Sequence, residues 1–320
     1  MKDGFGRSID YMRISVTDRC DLRCRYCMPE EGIKKVDKSR ILTYEEILRI
    51  CRAAIDLGID KFKITGGEPL VRYDLMKLLR GMKELEGLKE VTMTTNGQLL
   101  ESYIDELADI GIDGINISLD SLRTDRYRDI TRVGDVSKTL KAIDLSIEKG
   151  IKTKLNTLLQ RGINDDEIAD LTGFALDKGI DIRFIELMPI GIANAENGIS
   201  NEETLHCIKD LYPEITEDNT KHGNGPAVYY KVPGKDGGIG IISAVHGRFC
   251  ENCNRIRLTS MGYIKPCLCY EDGIFIRPYL EKSDEELRHA FEEVIKFKPA
   301  GHCFSDAKAV DHHAMAQIGG

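Results

Sequence analysis

Six cysteines fall into two sets: Cys20, Cys24 and Cys27 at C-x3-C-x2-C spacing, and Cys250, Cys253 and Cys267 at C-x2-C-x13-C. Thiolates grouped so closely are suited to hold an iron–sulfur cluster or zinc. Three ligands leave one metal position open. On a cubane [4Fe–4S] cluster the iron without a protein ligand can take N and O donors from a substrate or cofactor, whereas zinc with an open position more often uses His, and none lies near residues 20–27. Helical i, i+4, i+7 spacing could also place small buried thiols on one face. Asp21, Arg23, Arg25 and Pro29 instead favour a loop with a short helical turn. The second set reads equally as a cluster or as zinc completed by Cys269 or His246. Cys51, Cys207 and Cys303 are isolated and are expected to be core or surface thiols.

The elements that must position these thiols alternate. Tyr11 to Thr17 is rich in β-branched residues and reads as a strand running straight into the first cysteine set. Thr43 precedes Tyr44-Glu45-Glu46-Ile47 as an N-cap, and Ile47, Ile50, Cys51 and Ala54 recur at helical spacing. Further strands are expected at 61–65, 90–95, 114–119, 153–159 and 181–188, with helices near 74–85, 99–110, 136–149 and 165–178. Gly58, Gly87, Gly111, Gly150 and Gly179 close helices, as C′ positions prefer. Six alternations predict right-handed βαβ crossovers, a parallel sheet curled into a partial barrel, and chemistry at the carboxyl ends of its strands. After residue 188 a helix near 202–211 leads into Gly- and Pro-rich hairpins. The chain therefore divides, on this reading, into 1–224 and 225–320.

Composition narrows the class. Of 320 residues, 42% are hydrophobic and 31% charged, as in globular chains and unlike disordered ones. Net charge is 45 − 53 = −8, which disfavours a broad surface for a nucleic acid polymer or a membrane. Met1 to Ser8 has no apolar signal region and no apolar run approaches the ~20 residues of a membrane span, so a cytoplasmic protein with reduced thiols is expected. Neither GxxxxGK[ST] nor GxGxxG is present, so a nucleotide's phosphates would have to be met by side chains.

The first cysteine set, with Tyr26 before its last Cys, and Gly66-Gly67-Glu68-Pro69 at the end of the next strand resemble the radical S-adenosylmethionine (SAM) superfamily. RISVTDRC at 13–20, TTNG at 94–97, NISLDSL at 116–122, FIELMPIG at 184–191, FCENCNRIRLT with PCL, and the terminal Gly319-Gly320 resemble the GTP 3′,8-cyclase family more narrowly. The resemblance implies a partial (β/α)6 TIM-like barrel, with a C-terminal region of hairpins and helix carrying a second cluster. It implies two [4Fe–4S] clusters, one on Cys20, Cys24 and Cys27 and the other on Cys250, Cys253 and Cys267. Tyr26, Gly67, Ser118 and Met188 match SAM contacts. Arg13, Lys63, Thr94, Lys154, Arg255, Ile256 and Arg257 match GTP contacts, and Arg13, Arg255, Arg257, Gly319 and Gly320 match positions at the reacting end.

The implied reaction is the first of molybdenum cofactor biosynthesis. A 5′-deoxyadenosyl radical takes the ribose 3′ hydrogen of GTP, and closure onto C8 gives (8S)-3′,8-cyclo-7,8-dihydroguanosine 5′-triphosphate. A flavodoxin- or ferredoxin-type electron donor, a homodimer, and a consuming cyclic pyranopterin monophosphate synthase are implied partners. Lys63 stands where many members have Arg, exchanging a bidentate fork for a point charge. Asp21 replaces a frequent Asn, and Cys269 is an extra thiol. Two other readings share the cysteines. A peptide-modifying radical enzyme would typically carry more C-terminal cysteines, and a non-catalytic iron–sulfur or zinc protein would have no need of GGEP, Arg255 or Arg257.

Overall fold

In the computed structural model, which describes all residues but 35, 194–196, 248, 303, 305–310 and 320, the expected alternation folds as βα units. The barrel strands are β1 (Tyr11–Ser15), β2 (Lys61–Thr65), β3 (Glu90–Thr95), β4 (Gly114–Ser118), β5 (Thr153–Leu158) and β6 (Asp181–Ile185). Between them lie helices α1 (Tyr44–Asp56), α2 (Leu75–Lys83), α3 (Ile104–Ile110), α4 (Thr124–Thr131), α5 (Val136–Glu148) and α6 (Ile168–Asp177). Thr43 caps α1 as expected: its side chain accepts from Glu46 N, while Glu46 accepts from Thr43 N. Several expectations shift at their edges: the strands expected to end at 17, 119 and 159 stop at Ser15, Ser118 and Leu158, and the 74–85 helix ends at Lys83 with C-cap Glu84, so Gly87 lies beyond it rather than closing it. The 99–110 segment opens with a 3-10 turn at Leu100–Ser102, the 165–178 helix begins with another at Asp165–Glu167, and the last barrel strand stops at Ile185.

The C-terminal part departs from a separate set of hairpins. After α7 (Asn201–Leu211) come β7 (Thr216–Asp218), β8 (Val228–Lys231), β9 (Gly238–Ile242), β10 (Arg255–Leu258), β11 (Tyr263–Lys265), β12 (Ile274–Phe275), α8 (Asp284–Lys296) and α9 (Met315–Ile318). One sheet takes them all, in the order β12-β11-β10-β1-β2-β3-β4-β5-β6-β9-β8-β7. β10 pairs parallel to β1 and β9 parallel to β6, so later strands extend both edges of the βα sheet. β7 and β8, on either side of residue 224, form an antiparallel pair. Gly262, at φ +91°, turns the expected β10–β11 hairpin.

Side-chain alternation divides the sheet into two faces. Met12, Ile14, Phe62, Ile64, Val91, Met93, Ile115, Ile117, Leu155, Ile182, Phe184, Ile239, Ile241, Ile256 and Leu258 pack into one core with the helices, closed by Leu287, Phe291 and Val294 of α8. The other face carries polar side chains. Phe62, fully buried, belongs to the apolar face, and Phe62→Ala should lower stability by about 3–5 kcal/mol in urea unfolding; a loss under 1 kcal/mol would contradict this packing.

Candidate active site

The first cysteine set lies on the loop after β1, which two neighbours shape. The loop after β2 meets it backbone to backbone, with Gly67 N donating to Thr17 O at 2.7 Å and Glu68 N to Arg19 O at 2.8 Å. A Cβ on Gly67 would stand 2.3 Å from Arg19 O, so only glycine allows the approach. Glu68 is buried and accepts from Leu70 N, Thr95 Oγ1 and Asn96 N at 2.7–3.1 Å. Burial pushes its carboxyl up to about 8. From the other side, Arg23 N and Arg25 N donate to Thr131 O and Ile130 O at the end of α4. Arg132 then donates to Arg23 O and Met28 O at 3.0 Å each. Tyr26 OH donates to Asp120 Oδ2 at 2.7 Å, while Asp120 Oδ1 accepts from Leu158 N. Burial lifts Asp120 to about 6.

The second set begins on a 3-10 turn, Phe249–Asn252, and ends after β11. Its surroundings are cationic. Burial alone would raise the Cys253 thiol, but Arg255 and Lys298 bring it down to about 7. Lys298, 3% exposed, donates to Arg255 O at 2.7 Å and to Pro266 O at 2.6 Å. Arg7, from the N-terminal segment, donates to Cys250 O, Pro299 O and Ala300 O at 2.7–3.1 Å. Asp3 binds the same guanidinium at 2.6 Å.

Both sets open onto one cavity of about 320 Å³, as do Tyr26, Gly67, Thr94, Ser118, Met188, Arg13, Arg255 and Arg257. Cys20, Cys24 and Cys27 all have thiols raised by burial, Cys27 to about 11, so holding a metal would mean releasing protons. Spacing tests the metal. Zinc at about 2.3 Å from each sulfur puts ligand sulfurs roughly 3.8 Å apart. Among the described residues, the one group of three or more His, Cys, Asp or Glu ligand atoms all within 4.8 Å of one another is Glu271, Asp311 and His313, whose Asp311 is already paired with Lys265. Neither cysteine set is gathered that tightly. The wider thiolate sets fit a multi-iron cluster, in which each sulfur binds its own iron, better than one zinc. His246 is not at the second set; it is held by Glu186. Cys269 lines the cavity beside Cys267. Asn156 Oδ1, buried without a hydrogen-bond partner, supplies an acceptor on the inner face that a polar ligand could engage.

The polar face of the sheet lines the barrel. Register aligns Arg257 with Arg13 and Arg13 with Lys63. It also aligns Thr94 with Asn116, Asn116 with Lys154, and Asn156 with Arg183. Burial drives the Lys63 ammonium well below its usual range, and Arg183 and Arg13 push it further. Burial likewise depresses Arg257, with Arg13 and Arg255 adding repulsion. Lys154 lies toward the amino ends of the strands, where its ammonium donates to Asp181 at 2.5 Å, to Tyr229 OH at 3.2 Å and to His222 O. Ile256 is placed differently from its neighbours: its side chain is fully buried in the apolar core, opposite Arg255 and Arg257, leaving only its main chain for a ligand.

Arg183 was not singled out by sequence. It is 8% exposed with Nε and Nη2 unpartnered. Alternation in Asp181–Ile185 could have placed it with Asp181, but only the register with Asn156 shows that this face is the inner one. Arg7 and Lys298 left no local signal, because their partners are carbonyls far along the chain.

The C-terminal segment enters the same space. Ala316 N donates toward Cys27 Sγ, and Ile318 packs with Ile190 and Cys269. Gly319, at φ +75°, gives its carbonyl to Arg257 Nη1 at 2.6 Å. A Cβ there would lie 2.9 Å from Ser15 Cβ and 3.2 Å from Thr65 Oγ1. Gly320 and Cys303 lie outside the described residues.

Residues 14–175 match the model of the radical SAM superfamily, and residues 180–304 match that of Molybdenum Cofactor Synthesis C. The chain is 46% identical over 325 residues to the GTP 3′,8-cyclase of Alkaliphilus oremlandii, covering 100% of both chains. It is 42% identical over 323 residues to the GTP 3′,8-cyclase of Clostridium perfringens, again covering 100% of both. Among solved structures, Streptococcus suis SuiB shares the fold at a TM-score of 0.63 and 18% identity, over 82% of this chain and 60% of SuiB. Full-length similarity, paired cysteine sets facing one cavity and a glycine tail beside them place the chain in the GTP 3′,8-cyclase family of the radical SAM superfamily.

Proposed function

We propose that the chain converts GTP to (8S)-3′,8-cyclo-7,8-dihydroguanosine 5′-triphosphate, the first step of molybdenum cofactor biosynthesis, with the residues of this cavity in the roles given below. The carrying observation is that two cysteine triads open to one space together with Arg13, Arg255 and Arg257. Cys20, Cys24 and Cys27 would hold one [4Fe–4S] cluster, and Cys250, Cys253 and Cys267 the other. Tyr26, Gly67, Ser118 and Met188 would contact SAM, with Asp120 fixing the Tyr26 hydroxyl. When bound, these groups supply the one-electron chemistry that removes the ribose 3′ hydrogen.

The chain's own residues bind, orient and shield. Arg13 lines the cavity, and Lys63, Lys154 and, added here, Arg183 share its face of the sheet; Glu90 and Asp181 offset part of their charge, and a triphosphate would meet the remainder. Lys63 contributes a point charge, so phosphate geometry rests more on the guanidinium groups. Thr94 and the main chain at Ile256 would contact the nucleotide. Arg255 and Arg257 would hold its reacting end, with the Gly319 carbonyl fixing one nitrogen of Arg257. Glycine at 319 fits where a Cβ would crowd Ser15 and Thr65, which lets its carbonyl reach Arg257.

Free cysteines at both triads fit a reducing cytoplasm and a small flavodoxin- or ferredoxin-type donor. No helix among the described residues is long and apolar enough to cross a membrane. A homodimer and hand-over of the product to cyclic pyranopterin monophosphate synthase complete the reading.

Reconstituted protein given dithionite, SAM and each NTP in turn under anaerobic conditions should form 5′-deoxyadenosine and a cyclised nucleotide with GTP, detected by mass spectrometry; a product from another NTP alone would refute the substrate. Cys24→Ser should abolish SAM cleavage, whereas Cys253→Ser should lose cyclisation and keep some uncoupled cleavage.

Lys154 gives a pH signature. Burial lowers its ammonium to about 8, against the pull of Asp181. The protonated form would bind phosphate by exchanging one of its three present acceptors for a phosphate oxygen, so GTP affinity of the free enzyme should fall as pH rises through about 8. Lys154→Met should flatten this step and weaken binding below it by roughly 10–100-fold, the worth of one charged hydrogen bond at about 1.5–3 kcal/mol; an unchanged pH profile in that variant would remove Lys154 from the site. Deleting Gly319-Gly320 should leave iron content intact and suppress cyclisation, and full activity would make the tail dispensable.

A further inference from the structure

Lys298 sits just past α8 with its ammonium buried between the two halves of the second cysteine set. Its acceptors are Arg255 O, two residues after Cys253, and Pro266 O, immediately before Cys267. The groups that favour its charge are the Cys253 and Cys267 sulfurs, and Cys253 is also its hydrogen-bond partner. No carboxylate among the described residues pairs with it, unlike Arg7, whose charge Asp3 answers. Arg7 in turn fixes the main chain that carries Lys298, through Pro299 O and Ala300 O, and ties it to Cys250 O. All three ligands' main chains are therefore tethered to one segment, 298–302, with His302 N donating toward Cys250.

A buried ammonium with two carbonyl acceptors has one N–H left, and the neighbouring sulfurs are where it can go. Such a donor and its charge favour added negative charge on a cluster, which raises its reduction potential. We propose that Lys298 is a positioning residue for the second cluster: it sets the separation of Cys253 from Cys267 and, by its charge, makes that cluster easier to reduce. The proposal rests on residues 250, 253 and 267 being cluster ligands.

The test uses full-length protein in which Cys20, Cys24 and Cys27 are replaced by Ala, reconstituted anaerobically so that iron reports on the second set alone. Iron content, far-ultraviolet circular dichroism and the midpoint potential from an EPR-monitored titration are compared with and without Lys298→Met, which keeps the length of the side chain and removes its charge. The midpoint should move to more negative potential in Lys298→Met and return toward the parent value in Lys298→Arg. Full iron loading with an unmoved midpoint overturns the proposal. If Lys298→Met stays folded but loses iron that Lys298→Arg retains, the positioning role stands. If both variants unfold, Lys298 is a strut of the fold and the proposal fails. Absence of iron from the triple-Ala parent would instead defeat the ligand assignment on which it rests.

Discussion

Mutual repulsion among buried cations is the constraint around which this molecule is organised. Arg13, Lys63, Lys154, Arg183, Arg255 and Arg257 lie on one face of a curled sheet, with Lys154, Arg183 and Arg257 buried and the others half-buried. Desolvation and like charge both disfavour that arrangement. Glu90 and Asp181 offset part of it, and an apolar outer face packed against helices holds it in place. A polyanion completes the balance, and a nucleoside triphosphate has the charge and the many acceptor oxygens to do so.

Main-chain contacts then fix where the thiols stand. The first set depends on Gly67 lying against Arg19 O, and on α4 carbonyls that accept from Arg23 N and Arg25 N. The second depends on buried side chains from distant parts of the chain, Arg7 and Lys298, gripping carbonyls beside its cysteines. The C-terminal segment lies between them, touching Cys27 at Ala316 and Arg257 at Gly319. One cavity therefore has walls from the barrel, the second cysteine region and the last residues of the chain, with Arg7 of the N-terminal segment bracing it from behind.

Much of this was legible from local pattern. The Thr43 capping box, the β-branched strands, the helix stops at Gly58, Gly111, Gly150 and Gly179, though not Gly87, and both cysteine spacings are written over a few residues each, where propensity and periodicity act. The Arg255 and Arg257 alternation was equally readable, and the same rule correctly applied would have turned the Ile256 side chain to the other face. The 99–110 segment misled because apolar spacing alone does not show that its first turn is 3-10.

By itself the sequence determined the chemistry available: soft thiolate sets, a βα scaffold with its chemistry at the strand ends, and no phosphate-binding glycine loop. The tertiary structure decided which groups meet. Arg13 lies beside Arg257 because β1 pairs with β10, more than two hundred residues later, and Arg183 faces inward because β6 is flanked by β5 and β9. Edge pairing and register are set by which long-range contacts bury the most apolar surface together, and no window of local sequence contains both partners.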